Sequence, residues 1–396
     1  MRIRRLLRHL RDWFSAPLRT SSGGYAYVRL THSPLFGENS LLGRGWTHLR
    51  LFLLEDAPFY LALPASVFLM YLGTALSLPL SLVLLFLAIQ FLFHLIENAL
   101  VYARNEPVHS RLLCDIPTHH GFNSWEQVKL FPNGRRGPTV TGFLLLQEDA
   151  VVRSSCSTIL ILHGNAGNMG HRLPFCRLIA DKIRCNLLII DYRGFGKSTG
   201  RPTEDGLYED AKAALDYLAS RSEIAIDKIF VFGRSIGGAV AIQLGTGSVG
   251  SSLCGVIVEN SFTSLPLAAH HIFTSSFGAW TKFFLPHWLF LNKFPSLVRL
   301  RSYQRLSTDR FLPPFLFISG SSDDLLSPTM MQELAAAYSN ATECRSQDPS
   351  EFLTSGTDGL VCFAKGKHND TWLCEGWSDV LAHFIEQSLK RSGESV

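Results

Sequence analysis

The sequence predicts an α/β protein in which helices cover both faces of a mostly parallel sheet, with a helical lid insertion and an N-terminal membrane anchor. Seven apolar runs alternate with helical stretches, which is the pattern of strands that are buried on both faces. A long stretch ahead of these runs carries almost no charge, as membrane-spanning segments do. The seven runs are Val140–Leu146, Thr158–Leu162, Asn186–Ile190, Lys228–Phe232, Cys254–Val258, Pro314–Ile318 and Leu360–Ala364.

The chain of 396 residues is long enough for one large domain and an appendage. A membrane span needs about 20 apolar residues, so the uncharged stretch accommodates one long tilted helix or a hairpin of two. Its candidate breaks are Pro64, Gly73 and Pro79. The predicted organisation is a basic arm at 1–56, the anchor at 57–96, a linker at 97–120, the α/β domain at 121–390 with its lid at 262–301, and a tail at 391–396.

Arginine is enriched ahead of the anchor, which predicts a cytoplasmic N-terminus. One span would then place the α/β domain in a lumen or outside the cell, whereas a hairpin would return it to the cytosol. Glycosylation of Asn340, which begins an Asn-x-Thr sequon, would favour the single span. The arm also explains the net charge of +4, and no aromatic-basic platform accompanies it, so the predicted partner is membrane lipid and not nucleic acid.

One serine is placed on a strand-to-helix turn by the sequence Gly233-Arg234-Ser235-Ile236-Gly237, which directly follows an apolar run. Such a turn, a nucleophile elbow, needs small residues two before and two after the serine, because side chains there would collide as the backbone reverses. The residues after it are typical of a small-residue helix that packs closely on a sheet. We therefore predict Ser235 as the nucleophile, with Gly233 and Gly237 as the elbow glycines.

A serine hydroxyl is a poor nucleophile at neutral pH, so it requires a histidine base that a carboxylate orients. The apolar run ending at Ile318 leads to Asp323 and Asp324, of which Asp323 is the preferred carboxylate and Asp324 the alternative. His368 follows the last apolar run and is the predicted base. Ser235, Asp323 and His368 then all follow the carboxyl ends of strands, where open α/β sheets build their sites.

Acyl transfer also needs hydrogen-bond donors aimed at the oxyanion that develops on the substrate. The backbone N–H of Ile236, directly after the nucleophile, is one predicted donor. The second is Asn165, in a glycine-rich loop whose first residue, His163, is expected to brace it. This loop lacks the Lys-Ser/Thr ending of a nucleotide site, and the eight cysteines contain no Cys-x-x-Cys pair, so no cofactor and no metal are predicted.

Two insertions interrupt the alternating pattern. The chain between Ser261 and about Arg301 is rich in aromatic residues, which favours either a lid that shapes an apolar pocket or an ordinary packed helical insertion. A polar stretch at 344–351 is expected to be a surface loop.

Four motifs together resemble the Bem46-type α/β-hydrolases, over about residues 120 to 390. They are His163-Gly164-Asn165-Ala166-Gly167-Asn168, Asp191-Tyr192-Arg193-Gly194-Phe195-Gly196-Lys197-Ser198, the elbow around Ser235, and Gly366-Lys367-His368-Asn369-Asp370. The resemblance implies an α/β-hydrolase fold, and relatives of this kind include protein depalmitoylases. Asp191, Arg193, Glu259 and Asn260 are expected to support the site without reacting.

Together these observations predict a membrane-anchored serine hydrolase that acts on an ester or thioester of a lipidic acyl group. S-palmitoyl protein is the first substrate choice, and a lysophospholipase or monoacylglycerol lipase-like esterase is the alternative. A serine aminopeptidase and a non-catalytic membrane scaffold with a hydrolase shell are further interpretations. The predicted partners are the membrane bilayer and the lipidic or acylated-protein substrate.

Overall fold

The computed structural model describes residues 64, 65, 67, 68, 71, 78–278, 285–306, 313–340 and 346–394. These residues belong to two compact units. The first comprises the described residues of Arg104–Phe284 and Asn292–Val396, and the second those of Arg29–Ala103 and Leu285–Leu291. The predicted basic arm at 1–56 and the first half of the predicted anchor, where a hairpin would turn, lie almost wholly outside the described residues.

The first unit is built on a nine-stranded sheet. Its strands are β1 Trp125–Leu130, β2 Val140–Leu145, β3 Thr158–Leu162, β4 Asn186–Asp191, β5 Ile229–Arg234, β6 Gly255–Glu259, β7 Phe315–Gly320, β8 Ser346–Gln347 and β9 Gly359–Phe363. The described α-helices of the chain are α1 Leu78–Val101, α2 Ala150–Ser155, α3 Leu173–Ile183, α4 Glu204–Ala219, α5 Ile236–Thr246, α6 Leu265–Phe277, α7 Ser296–Leu306, α8 Pro328–Ser339, α9 Pro349–Ser355 and α10 Trp377–Glu394.

The strand order is β1-β2-β4-β3-β5-β6-β7-β9-β8. The pairs β1–β2 and β2–β4 are antiparallel, and the remaining pairs are parallel. Every residue of β2 to β7 is buried, so helices cover both faces of the central sheet. The predicted α/β class with a mostly parallel sheet is confirmed, and each of the seven predicted runs overlaps a strand.

Two strands were not predicted, and both lie at the edges of the sheet. In β1 buried residues are interspersed with exposed ones, among them Glu126 and Lys129, because one face of an antiparallel edge strand contacts water. The sequence of β1 therefore contains no continuous apolar run that would predict a strand. The other strand, β8, has only two residues and pairs in parallel with β9.

The expectation of a surface loop at 344–351 is wrong for the residues from Ser346 onward. After β8, the side chain of Asp348 caps α9 by accepting the N–H of Glu351 at 2.9 Å, and Pro349 occupies the first turn. Phe352 of this helix is completely buried. The Asp-Pro-Ser sequence is thus a helix start, in which proline replaces an N–H that has no partner in a first turn.

The second unit contains α1, which is long and apolar enough to cross a membrane. It extends to Val101, five residues beyond the predicted end of the anchor at Ile96. The difference arises because Glu97 marks the end of the uncharged run in the sequence, whereas the apolar residues after it continue the helix. Residues 97–101 of the predicted linker are therefore helical.

Candidate active site

Ser235 lies between β5 and α5, in a backbone conformation that residues other than glycine rarely adopt. Its φ is 56° and its ψ is −121°. Its N–H donates to the carbonyl of Glu259 at 2.9 Å, and its carbonyl accepts the hydroxyl of Ser261 at 2.8 Å. These bonds to the end of β6 hold a conformation that costs about 1–3 kcal/mol, and such strain is concentrated at functional sites.

The glycines of the elbow are required by close contacts between backbone segments. A Cβ on Gly233 would lie 2.1 Å from the carbonyl oxygen of Gly237, and a Cβ on Gly237 would lie 2.1 Å from that of Leu162. These neighbours are backbone atoms, which cannot move aside as the end of a side chain can. The structure thus gives the steric reason for glycine at both positions.

Three side chains that are far apart in the sequence form a hydrogen-bonded chain. His368 Nε2 lies 3.2 Å from Ser235 Oγ, and His368 Nδ1 lies 2.8 Å from Asp323 Oδ2. With the proton assigned to Nδ1, the ring donates to the carboxylate and its Nε2 lone pair faces the hydroxyl. The side chains of His368 and Asp323 are only 3% and 4% exposed, so water does not compete for these bonds.

The carboxylate of Asp323 is fixed by the turn that carries it. Its second oxygen, Oδ1, accepts the N–H groups of Leu325 and Leu326, both at 2.9 Å. The sequence left Asp324 as an alternative, because a shift of one residue in a turn reverses which side chain points inward. The structure places Asp323, and not Asp324, against His368.

Asn260 connects the turns that carry the carboxylate and the base. Its side-chain NH₂ donates to the carbonyls of Lys367 and His368 at 3.1 and 3.2 Å, and to the hydroxyl of Thr371 at 2.9 Å. Its Oδ1 accepts the N–H of Gly320, at the end of β7, at 2.8 Å. The residue has a φ of 44° and is 1% exposed. Asn260 therefore positions the loop that carries His368.

Two buried ionisable side chains, those of Glu259 and Arg234, lie on adjacent strands next to the elbow. Glu259 ends β6 directly beside Arg234 of β5, and its Oε2 accepts the indole N–H of Trp377 at 2.7 Å. Burial raises the pKa of Glu259 to about 7, although the nearby Arg234 opposes that shift. Burial also lowers the pKa of the Arg234 guanidinium. Arg234 directly precedes Ser235, and the carbonyl of Glu259 accepts the N–H of Ser235, but neither side chain belongs to the hydrogen-bonded chain.

The predicted oxyanion donors flank Ser235. Ile236 is the first residue of α5, so its N–H is among those that a helix leaves without an intrahelical acceptor, at the positive end of the helix dipole. The loop after β3 also approaches the serine, since a Cβ on Gly164 would lie 3.5 Å from Ser235 Cβ. Asn165, the next residue, is buried. The roles of Ile236 and Asn165 as donors stay predictions.

His163 braces this loop from inside. Its Nδ1–H donates to the carbonyl of Gly164 at 2.6 Å, and burial lowers its pKa to about 3, so the ring is neutral at pH 7. Asp191 lies behind it and accepts the N–H of Met169 at 2.6 Å. Burial raises the pKa of Asp191 to about 7. His163 and Asp191 therefore hold backbone groups of this loop and its continuation. Among the described residues, neither side chain is hydrogen-bonded to Ser235.

Sequence reasoning missed Asp210, the buried partner of Arg193. The carboxylate accepts the backbone N–H of Arg193 at 2.7 Å and its guanidinium at 2.7 and 2.9 Å. Asp210 is completely buried on α4, where Leu207, Ala211 and Ala214 form the apolar face. A charged residue within an apolar helical stripe is the signal that identifies such a partner.

The order serine, aspartate, histidine, with each residue after a strand of one sheet, distinguishes α/β-hydrolases from the other proteins that share this triad geometry. The profile of the family Hydrolase_4, described as serine aminopeptidase, S33, matches residues 153–309. The solved structure of the Pyrococcus furiosus esterase Pf2001 shares the fold, with a TM-score of 0.50 and 18% identity over 70% of this chain and 96% of that chain. The protein is a hydrolase of the α/β-hydrolase fold.

Comparison with individual sequences defines the family. Protein bem46 of Schizosaccharomyces pombe is 34% identical, over 78% of this chain and 91% of that protein. The α/β hydrolase domain-containing protein WAV2 of Arabidopsis thaliana is 34% identical over 58% of this chain and 70% of its own length. The uncharacterized membrane protein YNL320W of Saccharomyces cerevisiae is 31% identical over 59% and 72%. This chain belongs to the Bem46-type α/β-hydrolases, and the resemblance carried by the four motifs is confirmed.

Proposed function

We propose that this protein is a membrane-anchored serine hydrolase that cleaves an ester or thioester of a lipidic acyl group. The observation that carries the proposal is the hydrogen-bonded chain of Ser235, His368 and Asp323 at a strained elbow. A serine that only stabilised the fold would need neither a base at its hydroxyl nor an unfavourable φ. The α/β-hydrolase family supports hydrolysis in general, and the anchor supports a substrate at the membrane.

The reaction begins with attack of Ser235 Oγ on the acyl carbonyl carbon, while His368 Nε2 accepts the hydroxyl proton. Asp323 holds the ring and stabilises the imidazolium that forms. The N–H groups of Ile236 and Asn165 bind the negative oxygen, and each such donor contributes about 3 kcal/mol in comparable sites. His368 then protonates the departing oxygen or sulfur, which leaves an acyl group on Ser235.

Water completes the cycle. His368 removes a proton from a water molecule that attacks the acyl-enzyme, and returns the proton to Ser235 as the fatty acid leaves. Since only one base serves both halves, any change that moves the loop of His368 slows acylation and deacylation together.

S-palmitoyl protein is the substrate class that we favour. Its acyl chain lies in the bilayer next to the anchor, and a thiolate is a better leaving group than an alkoxide. A lysophospholipid or monoacylglycerol meets the same membrane requirement and is the alternative. The family description names a serine aminopeptidase, which supports amide hydrolysis as a third candidate. The strain held at Ser235 is the argument against a scaffold without activity.

The proposal is tested with the full-length protein in phosphatidylcholine vesicles. An S-palmitoyl peptide, a lysophospholipid, a monoacylglycerol and an aminoacyl anilide are compared by kcat/KM. We expect the thioester to give the highest value, and Ser235→Ala to lose at least about 10³-fold. Ser154→Ala, which changes an exposed serine on α2, is the matched control. Preference for the anilide would replace the proposal with an aminopeptidase, and no turnover by folded protein would favour a scaffold.

A further inference from the structure

Most of the apolar surface of α1 is exposed. The helix has 24 residues and would be about 36 Å long, enough to cross a hydrocarbon core of about 30 Å. Its large apolar side chains are roughly half exposed around the helix, and they include Leu82, Val83, Phe86, Leu87, Ile89 and Phe91. Water is an unfavourable neighbour for such a surface, whereas lipid acyl chains are a favourable one.

A short segment from the insertion between β6 and β7 belongs to the same unit as α1. This segment, Leu285–Leu291, contains one turn of 3-10 helix. Trp288 stacks on Phe86 with ring centroids 5.9 Å apart, and Phe290 contacts Phe93 edge-on at 5.2 Å. Phe86 and Phe93 are two helical turns apart, so the segment follows α1 over about 10 Å.

Glu97 of α1 forms a hydrogen bond with this segment. It is the one Asp, Glu, Lys or Arg residue of the helix, and its side chain is almost completely buried. Its Oε2 accepts the backbone N–H of Leu291 at 3.2 Å. An ionisable group in a membrane helix is costly unless partners satisfy it, and the partners of Glu97 include the backbone N–H of Leu291 and, at 3.8 Å, the ring of His94.

Two backbone N–H groups of the segment are bonded within the protein, as backbone groups in lipid must be. The N–H of Leu289 donates to the carbonyl of Pro286 at 3.0 Å, and that of Leu291 donates to Glu97. Leu289 and Phe290 are buried, whereas Trp288 and Leu291 are 62% and 63% exposed. The segment therefore packs against the protein through Leu289 and Phe290. It exposes the large apolar side chains of Trp288 and Leu291 beside the apolar helix α1.

We infer that Leu285–Leu291 is a second membrane-contacting element, and that Trp288 and Leu291 lie among the acyl chains of the bilayer that surrounds α1. Continuity with the exposed surface of α1 identifies lipid as the occupant. The inference rests on the proposed anchoring by α1. Because the segment lies within the predicted lid insertion, the bilayer would contact the chain both at the anchor and between α6 and α7.

Quenching of tryptophan fluorescence by brominated phosphatidylcholine tests the inference with the full-length protein in vesicles. The contribution of Trp288 is the difference between wild type and Trp288→Phe, a variant that keeps an aromatic ring against Phe86. Trp125→Phe provides the control, since Trp125 lies in β1 of the first unit. We expect brominated lipid to remove at least half of the Trp288 contribution and to leave that of Trp125 unchanged.

Flotation of the same vesicles separates this inference from the anchoring on which it rests. Protein that fails to float with the vesicles would contradict anchoring itself. Protein that floats, but whose Trp288 emission is not quenched, would overturn the inference alone and leave the anchoring by α1 intact.

Discussion

At the scale of single residues, the structure adds side chains that support the hydrogen-bonded chain of Ser235, His368 and Asp323. Asn260 follows β6, yet its side chain holds the loop after β9 and the end of β7. Its left-handed backbone suits asparagine, which tolerates a positive φ better than most residues. One residue therefore links the loop that carries His368 to the end of the strand that precedes Asp323.

Replacement of Asn260 by glycine should lower kcat more than it changes KM. Glycine accepts the φ of 44°, so the variant removes four hydrogen bonds without adding backbone strain. Each is worth about 1 kcal/mol, so even partial loss at the His368 loop predicts at least a tenfold lower kcat. Steady-state kinetics on a long-chain ester measures both parameters.

Asn340→Gly is the matched control, because Asn340 has a φ of 54° at the end of α8 and no contact with the site is described. Its kinetics should equal those of the wild type. A purely structural role for Asn260 would appear as lower thermal stability with an unchanged kcat in the folded protein.

The buried carboxyl of Glu259 predicts a pH dependence of stability. Because its pKa is raised to about 7 from an ordinary value of about 4.5, the folded state binds the proton more tightly than the unfolded state. The contribution of this group to stability is therefore present below about pH 4.5 and is lost as the pH rises through 7. Glu259→Gln keeps an acceptor for Trp377 and removes the titration.

Melting temperatures at pH 5 and pH 8 measure this effect. The difference in Tm, variant minus wild type, should be larger at pH 8 than at pH 5. Glu386→Gln, at an exposed site on α10, should show no comparable rise. A difference that is constant or smaller at pH 8 would contradict the raised pKa.

At the scale of elements, the elbow depends on close approach between β5, α5 and the end of β3. Gly237→Ala would place a methyl group 2.1 Å from the carbonyl oxygen of Leu162. We expect this variant to lose about 3 kcal/mol of folding free energy or more, and to lose activity with it. Urea unfolding of the detergent-solubilised protein measures the loss.

Gly134→Ala is the control that measures backbone strain alone, without the steric clash expected in Gly237→Ala. Gly134 has a φ of 73° and no atoms within 4 Å of an added Cβ, so alanine there should cost only about 1 kcal/mol. Equal costs for the two substitutions would contradict the steric account of the elbow.

The elements also show what the sequence can predict. Buried central strands and the elbow are visible in the sequence because apolar runs and glycine spacing are local signals. The predicted triad follows from these, since Ser235, Asp323 and His368 lie in the connections after strand ends. The choice between Asp323 and Asp324 depends on one residue in a turn, and the pairing of Asp210 with Arg193 joins two separate parts of the chain. Neither contact is a local signal, so only the structure identifies them. The edge strand β1 was missed because its exposed face is polar.

At the scale of the whole molecule, the anchor determines which side of the membrane holds the hydrolase domain. With α1 as a single span and a cytoplasmic N-terminus, that domain is lumenal or extracellular. Asn340 is exposed and should then carry a glycan. A second sequon, Asn369-Asp370-Thr371, should carry none, because its Thr371 is completely buried and hydrogen-bonded to Asn260.

Synthesis in the presence of microsomes measures this topology. We expect one glycosidase-sensitive shift in mobility that disappears in Thr342→Ala, which removes the sequon of Asn340. An unglycosylated domain that added protease digests in sealed membranes would show instead that the hydrolase faces the cytosol, and would favour the hairpin anchor.

The nucleophilic role of Ser235 is tested most directly by labelling with a fluorophosphonate probe, which reacts with activated serines. The full-length protein is labelled in native membranes and the modified peptide is identified by mass spectrometry, with Ser154→Ala and Ser235→Ala in parallel. Wild type and Ser154→Ala should carry one label, on Ser235, and Ser235→Ala should carry none. Equal labelling of Ser235→Ala, or no labelling of folded wild type, would contradict the proposed serine hydrolase.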